Sequence, residues 1–237
     1  MFSRRLLPFY ILASILLLAF ARCPQAARAQ VLKADYQFQN TLAVTTPGAP
    51  PLTNLGDNSF AKETVNGEKR VVLRFPEASG VMLSGASGVI PRETYSIVML
   101  FRFESTTSWR RVLDFKNSVS DNGLYTKDGK LQFYPLLIGD EVVVRPNQWV
   151  QVLLTRDRQK NVCGYVDGRL QFHFVDTADD AVIGPANNLR FFRDDGPIEN
   201  SAGAVARIRL YDRPLTVAWA AGGRRLVSGA RIKKLFH

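Results

Sequence analysis

The densest group of chemistry-bearing residues in this chain is Arg193-Asp194-Asp195-Gly196 followed by Glu199-Asn200-Ser201. Hard cations such as calcium take six to eight oxygens from carboxylates, amides and backbone carbonyls. Asp194, Asp195 and Glu199, close together in a glycine-containing loop, are therefore the expected metal ligands, and calcium the expected ion. Asp114 and Asn117 are further donors that a neighbouring strand end could bring in. The loop lacks the D-x-D-x-D-G order of an EF-hand. Its plainer role is turn hydrogen bonding by Asp194 and Asp195, with Glu199 solvated.

A second group suits recognition of hydroxyl-rich ligands: Trp109, Arg110, Asp121, Asn122 and Tyr125, with Tyr134 as a further candidate. Aromatic rings offer a platform, and amides and carboxylates fix orientation by hydrogen bonding. Trp109 follows the polar stretch Glu104-Ser105-Thr106-Thr107-Ser108 and precedes Arg110-Arg111, so it reads as a loop tryptophan beside cations. For the other aromatics, core packing is the competing role, because most stand at alternating strand positions.

Catalysis finds less support. Glycoside hydrolysis needs two carboxyl groups about 5 Å apart for retention and further apart for inversion. On one strand, positions i and i+2 would aim such a pair at one face, and the chain has no acidic pair at that spacing. Asp140-Glu141, Asp179-Asp180 and Asp194-Asp195 are adjacent pairs, which in a strand point to opposite faces. A dyad assembled from different strands stays open. The only histidines are His173 and His237, and His173 alternates with Phe172 and Phe174, facing away from their core side. No zinc spacing, P-loop or dinucleotide fingerprint is present. A non-catalytic protein is the expectation.

The elements that must hold these residues are strands. Tyr95–Phe103 (YSIVMLFRF) reads as a central strand of a packed sheet, covered on both faces at its start and alternating at its end. Leu32–Phe38, Val71–Phe75, Val81–Leu83, Trp149–Thr155, Val162–Val166, Leu189–Phe192 and Ala204–Tyr211 are further strands. Asn122-Gly123, Asp128-Gly129 and Asp167-Gly168 tolerate the positive φ of tight hairpin turns. One short helix is expected, from Thr216 to Ala221 before Gly222-Gly223. About a dozen strands at 8–12-residue spacing with almost no helix indicate an all-β sandwich or barrel.

The first 29 residues stand apart. Arg4 and Arg5, an apolar stretch from Leu6 to Ala21 and the triplet Ala27-Arg28-Ala29 have the layout of a secretory signal peptide. The apolar stretch is shorter than the roughly 20 residues a spanning helix needs, so no transmembrane anchor is expected after cleavage. Removing residues 1–29 takes away four arginines and no acids, lowering the net charge from +10 to +6. It also removes Cys23, leaving Cys163 as a lone thiol, read as a small buried hydrophobe. A secreted protein follows, with a core that no disulfide staples.

Two stretches resemble laminin G-like domains of the concanavalin A-like lectin/glucanase superfamily. Trp149-Val150-Gln151-Val152-Leu153-Leu154-Thr155-Arg156-Asp157 with Val162-Cys163-Gly164-Tyr165-Val166-Asp167-Gly168 is similar to their central hairpin. Gly203–Thr216 is similar to their closing strand, and Arg111–Phe115 with Asp121–Tyr125 fits the middle of the domain. The resemblance implies a jelly-roll β-sandwich of two antiparallel sheets over residues 30–216, with residues 217–237 as a short helix and basic tail. It adds weight to calcium at the sandwich rim, and it makes glycans, including acidic polysaccharides, plausible partners.

Basic residues cluster at Arg156-Asp157-Arg158-Gln159-Lys160 and in the tail, at Arg224, Arg225, Arg231, Lys233 and Lys234. Such charge attracts polyanions or serves solubility alone. For an exported protein the relevant polyanions are glycans or anionic surfaces rather than nucleic acid. The expected function is a secreted carbohydrate-binding or adhesion module. A carbohydrate-active hydrolase, or a structural surface protein that binds extracellular proteins, stands as the alternative.

Overall fold

The computed structural model describes residues 31–215 and the backbone of 219–220 and 224–225. The expected leader, residues 1–29, and the tail cations Arg231, Lys233 and Lys234 lie outside the described residues. In chain order the strands are β1 (Leu32–Tyr36), β2 (Thr53–Leu55), β3 (Ser59–Val65), β4 (Glu68–Phe75), β5 (Gly80–Ser84) and β6 (Tyr95–Phe103). There follow β7 (Trp109–Asp114), β8 (Gly123–Lys127), β9 (Lys130–Tyr134), β10 (Leu137–Val142), β11 (Val150–Arg156) and β12 (Asn161–Val166). β13 (Arg169–Val175), β14 (Asn188–Phe191) and β15 (Gly203–Tyr211) complete the two main sheets; β16 (Trp219–Ala220) and β17 (Arg224–Arg225) pair with each other.

One sheet runs β13-β12-β11-β6-β15-β4-β3. β1 is its eighth strand and shares an edge of β15 with β4: β4 pairs with Gly203–Val205 and β1 with Ile208–Tyr211, on either side of a bulge between Val205 and Arg207. The other sheet runs β10-β9-β8-β7-β14-β5-β2. All sandwich pairings are antiparallel. The inner faces share one core, in which Ile97, Met99, Phe101 and Phe103 of β6 meet Leu113, Leu124, Phe133 and Leu189. Phe192, just past β14, stacks on Phe75 at 4.7 Å between ring centroids and lies 5.1 Å from Phe101. The expected central strand over Tyr95–Phe103 is β6 itself, buried along its whole length between β11 and β15.

Turn chemistry accounts for the hairpins. Asp128-Gly129 and Asp167-Gly168 take positive φ at both residues and close β8–β9 and β12–β13, as two-residue turns matched to strand twist require. Asn66-Gly67 does the same for β3–β4, a hairpin the strand pattern did not mark. Asn122-Gly123 is not a turn of this kind. Gly123 opens β8 opposite Asp114, and a Cβ there would lie 2.6 Å from the Leu113 carbonyl oxygen and 2.8 Å from Arg111 Nη1. Close approach, rather than positive φ, requires this glycine.

Two further expectations are corrected. Among the described residues the only helical turn is 3-10, at Ala86–Gly88. The helix expected over Thr216–Ala221 is not formed at Trp219–Ala220, which is extended and pairs with Arg224–Arg225, while 216–218 and 221 lie outside the described residues. A six-residue segment with Thr216, Val217 and Trp219 has too little length to nucleate a helix and side chains that favour extended backbone. Cys163 is fully buried, as expected, but it is disulfide-bonded rather than a lone thiol. Counting it as lone rested on discarding Cys23.

Candidate functional site

Three pieces of chain converge on the outer face of the seven-stranded sheet. β7 and β8 carry Trp109, Arg111 and Tyr125, with Arg111 directly opposite Tyr125. The β7–β8 connection brings Asp121 and Asn122, and the β14–β15 connection brings Asp194 to Ser201. The second connection is tied down along its length. The Phe192 N–H donates to the Val112 carbonyl (3.2 Å), the Arg111 N–H to Glu199 O (2.9 Å) and the Glu104 N–H to Ala202 O (2.8 Å). Inside the loop, Asn200 Oδ1 accepts from the Asp194 N–H (2.9 Å) while its Nδ2 donates to Gly196 O (2.6 Å). This clip turns the Asp194 carboxylate inward.

Arg111 is the centre of the site. Its side chain is 1% exposed. Nε donates to Asp194 Oδ1 at 2.8 Å, Nη1 to the Asp121 carbonyl at 3.1 Å and Nη2 to Asp121 Oδ1 at 3.4 Å. The guanidinium carbon lies 4.1 Å from the Tyr125 ring centroid, a cation–π distance. Carboxylate oxygens of Asp121, Asp194 and Glu199 lie within 4.8 Å of one another around this cation. One guanidinium does not balance the acids gathered here. Burial, with the charges of Asp194 and Asp121, raises the Glu199 carboxyl above its ordinary range. Burial and Asp194 raise Asp195 likewise.

The two oxygens of Asp194 are engaged, Oδ1 by Arg111 and Oδ2 by the Gly196 N–H at 3.1 Å. Asp121, with a side chain 56% exposed, and the partly buried Glu199 are the acids placed to meet an incoming group. Such oxygens hydrogen-bond sugar hydroxyls, and an all-oxygen donor set also fits a hard divalent cation, which would relieve the repulsion that adds to burial in raising Glu199. Asp195 stands outside this group of three, exposed and 4.0 Å from Arg111 Nη2.

The expected ligand-binding residues divide by role. Trp109 is not in a loop but opens β7, because the polar stretch before it ends one residue earlier. Its ring meets Tyr125 and Tyr134 edge-on at 5.5 and 5.4 Å, and Lys127 Nζ lies 5.0 Å from it. Trp109 and Tyr134 keep partial exposure, whereas Tyr125 is buried, which pushes its hydroxyl well above its usual range. Arg110 Nη1 donates to the Ile198 carbonyl at 2.8 Å, bracing the loop. Asn122 donates to Asp180 rather than to the acid group. Asp114 accepts from the backbone N–H groups of Lys116 (2.6 Å) and Ser118 (2.8 Å), and Asn117 accepts from Asn188, so neither joins the acids. Arg111 was not singled out by the sequence, although its spacing of two from Trp109 places both on one strand face.

In the basic cluster on the β11–β12 turn only Arg156 is internal, while Arg158 is exposed and Lys160 partly so. Arg156 is buried against Asp176 (2.8 Å) and Asp179 (2.7 Å), and Lys160 also pairs with Asp179. His173 lies partly buried with Nε2 3.2 Å from Asn161 Oδ1. No described helix is long and apolar enough to cross a membrane.

Two antiparallel sheets packed face to face define a jelly-roll β-sandwich. The chain belongs to the concanavalin A-like lectin/glucanases superfamily, whose laminin G family model matches residues 76–221. No curated protein sequence matches it. Among solved structures it is similar to domain 4 of AbnA, a GH43 extracellular arabinanase from Geobacillus stearothermophilus in complex with arabinotriose. That likeness has a TM-score of 0.56 at 16% identity, covering 89% of this chain and 100% of that one. The binding domain of botulinum neurotoxin serotype D is similar with a TM-score of 0.58 at 14% identity, over 86% of this chain and 51% of that one. The binding domain of Paraclostridial Mosquitocidal Protein 1 gives 0.58 at 12% identity, over 86% and 51%.

Proposed function

We propose that this chain is an exported, non-catalytic glycan-binding module. The sugar would lie on the outer face of the seven-stranded sheet, against the exposed edges of Trp109 and Tyr134. Oxygens of Asp121 and Glu199 would accept its hydroxyls. The observation that carries the reading is the unbroken run of contacts from Lys127 through Trp109, Tyr125 and Arg111 to Asp194 and Asp121. It sets an aromatic platform beside oriented carboxylates, the combination sugar recognition needs. The arabinotriose held by the similar arabinanase domain supports this class of ligand. An acid-rich site favours neutral sugars, and uronic or sulfated glycans would need a bridging calcium ion or the basic tail.

Calorimetric titration of the folded protein with neutral oligosaccharides, beginning with arabinotriose, tests the reading. Trp109→Ala and Asp121→Ala should each weaken binding about tenfold or more, the loss of roughly 1.4 kcal/mol. Binding indifferent to both substitutions overturns the placement. A second reading rests on the acid spacing, because carboxylate oxygens within 4.8 Å approach the roughly 5 Å carboxyl separation of retaining glycosidases. Raised Glu199 would be the acid and exposed Asp121 its partner, since Asp194 is buried and already bonded at both oxygens. Release of reducing ends by the wild type, lost in Glu199→Gln with binding retained, would establish hydrolysis instead.

A further inference from the structure

We propose that the notch where β1 and β4 part on the edge of β15 binds one oxyanion group, a sulfate, phosphate or carboxylate, through Arg70, Arg207 and Arg209. The notch follows from the topology. β4 pairs with Gly203–Val205 and β1 with Ile208–Tyr211, so the bulge between them has no partner strand on that edge. Side chains take the place of the missing ladder. Arg70 Nη2 donates to the Ala206 carbonyl at 3.0 Å, and Gln39 Nε2 donates to the Val71 carbonyl at 3.2 Å.

Three guanidiniums meet here on the eight-stranded sheet, whereas the acids around Arg111 belong to the other sheet and its loops. Arg207 forks onto Asp35, with Nε 2.8 Å from Oδ1 and Nη2 2.6 Å from Oδ2. Arg209 Nε lies 3.5 Å from the same Oδ1, and Gln37 Nε2 donates to Oδ2 at 3.1 Å. Asp35 is thus committed before Arg70 is served. Arg70 lies within electrostatic reach of Arg207, Arg209 and Asp35. Its Nε is buried and has no hydrogen-bond partner, while the residue keeps partial exposure to solvent. A buried donor left unpaired is costly, and an oxyanion arriving from the solvent side supplies the missing acceptor.

The acids near the notch do not balance these cations. Glu68 acts on Arg70 from the exposed start of β4. Glu63 is taken up by Arg74 and Arg102, and Asp212 lies against Lys33 and Arg213. The chain has no Asp or Glu before Asp35 or after Asp212, so neither end brings a side-chain carboxylate to the notch. Burial, with Arg207 alongside, lowers both Arg70 and Arg209 below the ordinary guanidinium value, as it does for cations desolvated beside one another. The planar fork of arginine meets two oxygens of an oxyanion at once.

Calorimetric titration of the folded protein with sodium sulfate, sodium phosphate and glucuronic acid, at an ionic strength held constant with sodium chloride, tests the proposal. At least one of the three should bind saturably and one to one. Arg70→Gln and Arg209→Gln both leave the Asp35–Arg207 pair in place. Each should weaken binding about tenfold or more, the loss of a charge-assisted hydrogen bond. Tighter binding of glucuronic acid than of the inorganic ions assigns the oxyanion to an acidic sugar, and the reverse order assigns it to a free ion. No saturable binding, or binding that both variants leave unchanged, overturns the proposal. Trp109→Ala, which probes the opposite sheet, should leave anion binding intact, so this site and the sugar-binding face fail separately.

Discussion

At the scale of single residues, Arg111 is the hinge of the site, and its burial makes it expensive to disturb. It and Asp194 are almost wholly withdrawn from water, with side chains 1% and 3% exposed. Removing one member of a buried pair strands the other's charge, a loss of about 3–5 kcal/mol, while replacing both with apolar groups is often close to neutral. Arg111→Met should therefore destabilise by that amount in urea unfolding, and Arg111→Met/Asp194→Leu should recover much of it. Additive losses in the double variant would mean that the two side chains do not act as a pair. The sequence showed Asp194 and Glu199 as chemistry-bearing because acids in a glycine loop are conspicuous. It hid Arg111, because a strand arginine ordinarily reads as an outward, solvated charge, and only the loop folding back over β7 reverses that.

Among the elements, β1 shows the same limit and a pH dependence that follows from it. Alternation correctly put Ala34 and Tyr36 on the core side, but the polar side of the strand is not solvated. Asp35 is buried there, pairing with Arg207 at 2.6 Å and Arg209 at 3.5 Å across the β1–β15 ladder. Burial alone would raise its carboxyl, and the two guanidiniums outweigh that to hold it below the ordinary value of 3.8. The unfolded chain therefore binds the proton more readily than the folded one. The pair's contribution is complete above the unfolded value and is lost as pH falls below 3.8 through the folded value. Asp35→Asn should cost about 3–5 kcal/mol at neutral pH and flatten that acid limb of the stability profile. An unchanged acid limb in urea titrations of this variant would assign the acid sensitivity to other carboxylates. Strands and hairpin turns were legible because alternation and positive-φ dipeptides are local signals. The register that sets Asp35 opposite Arg209 joins residues 174 positions apart, which no local pattern encodes.

For the molecule as a whole, the site gathers more carboxylate than guanidinium, and whether a cation balances it separates a metal-organised site from one that works without metal. Asp121, Asp194 and Glu199 come from two connections that only the assembled sandwich brings together. A cation held by them therefore binds the folded state alone and stabilises by mass action. Calcium sites of extracellular modules have dissociation constants of about 10⁻⁴–10⁻³ M. At the tight end, 10 mM calcium is about a hundredfold excess, worth about 2.7 kcal/mol and a Tm rise of roughly 5–10 °C for a domain of this size. Differential scanning calorimetry with calcium and then with chelator should show that rise in the wild type and in Asp195→Ala, whose carboxylate lies outside the group of three. Glu199→Gln should abolish it and, by relieving the repulsion at this partly buried acid, raise the metal-free Tm. A rise that survives Glu199→Gln and Asp121→Asn but disappears with Asp195→Ala would move the ion to the loop tip. No rise at all would leave Arg111 as the cation that organises the proposed sugar-binding face.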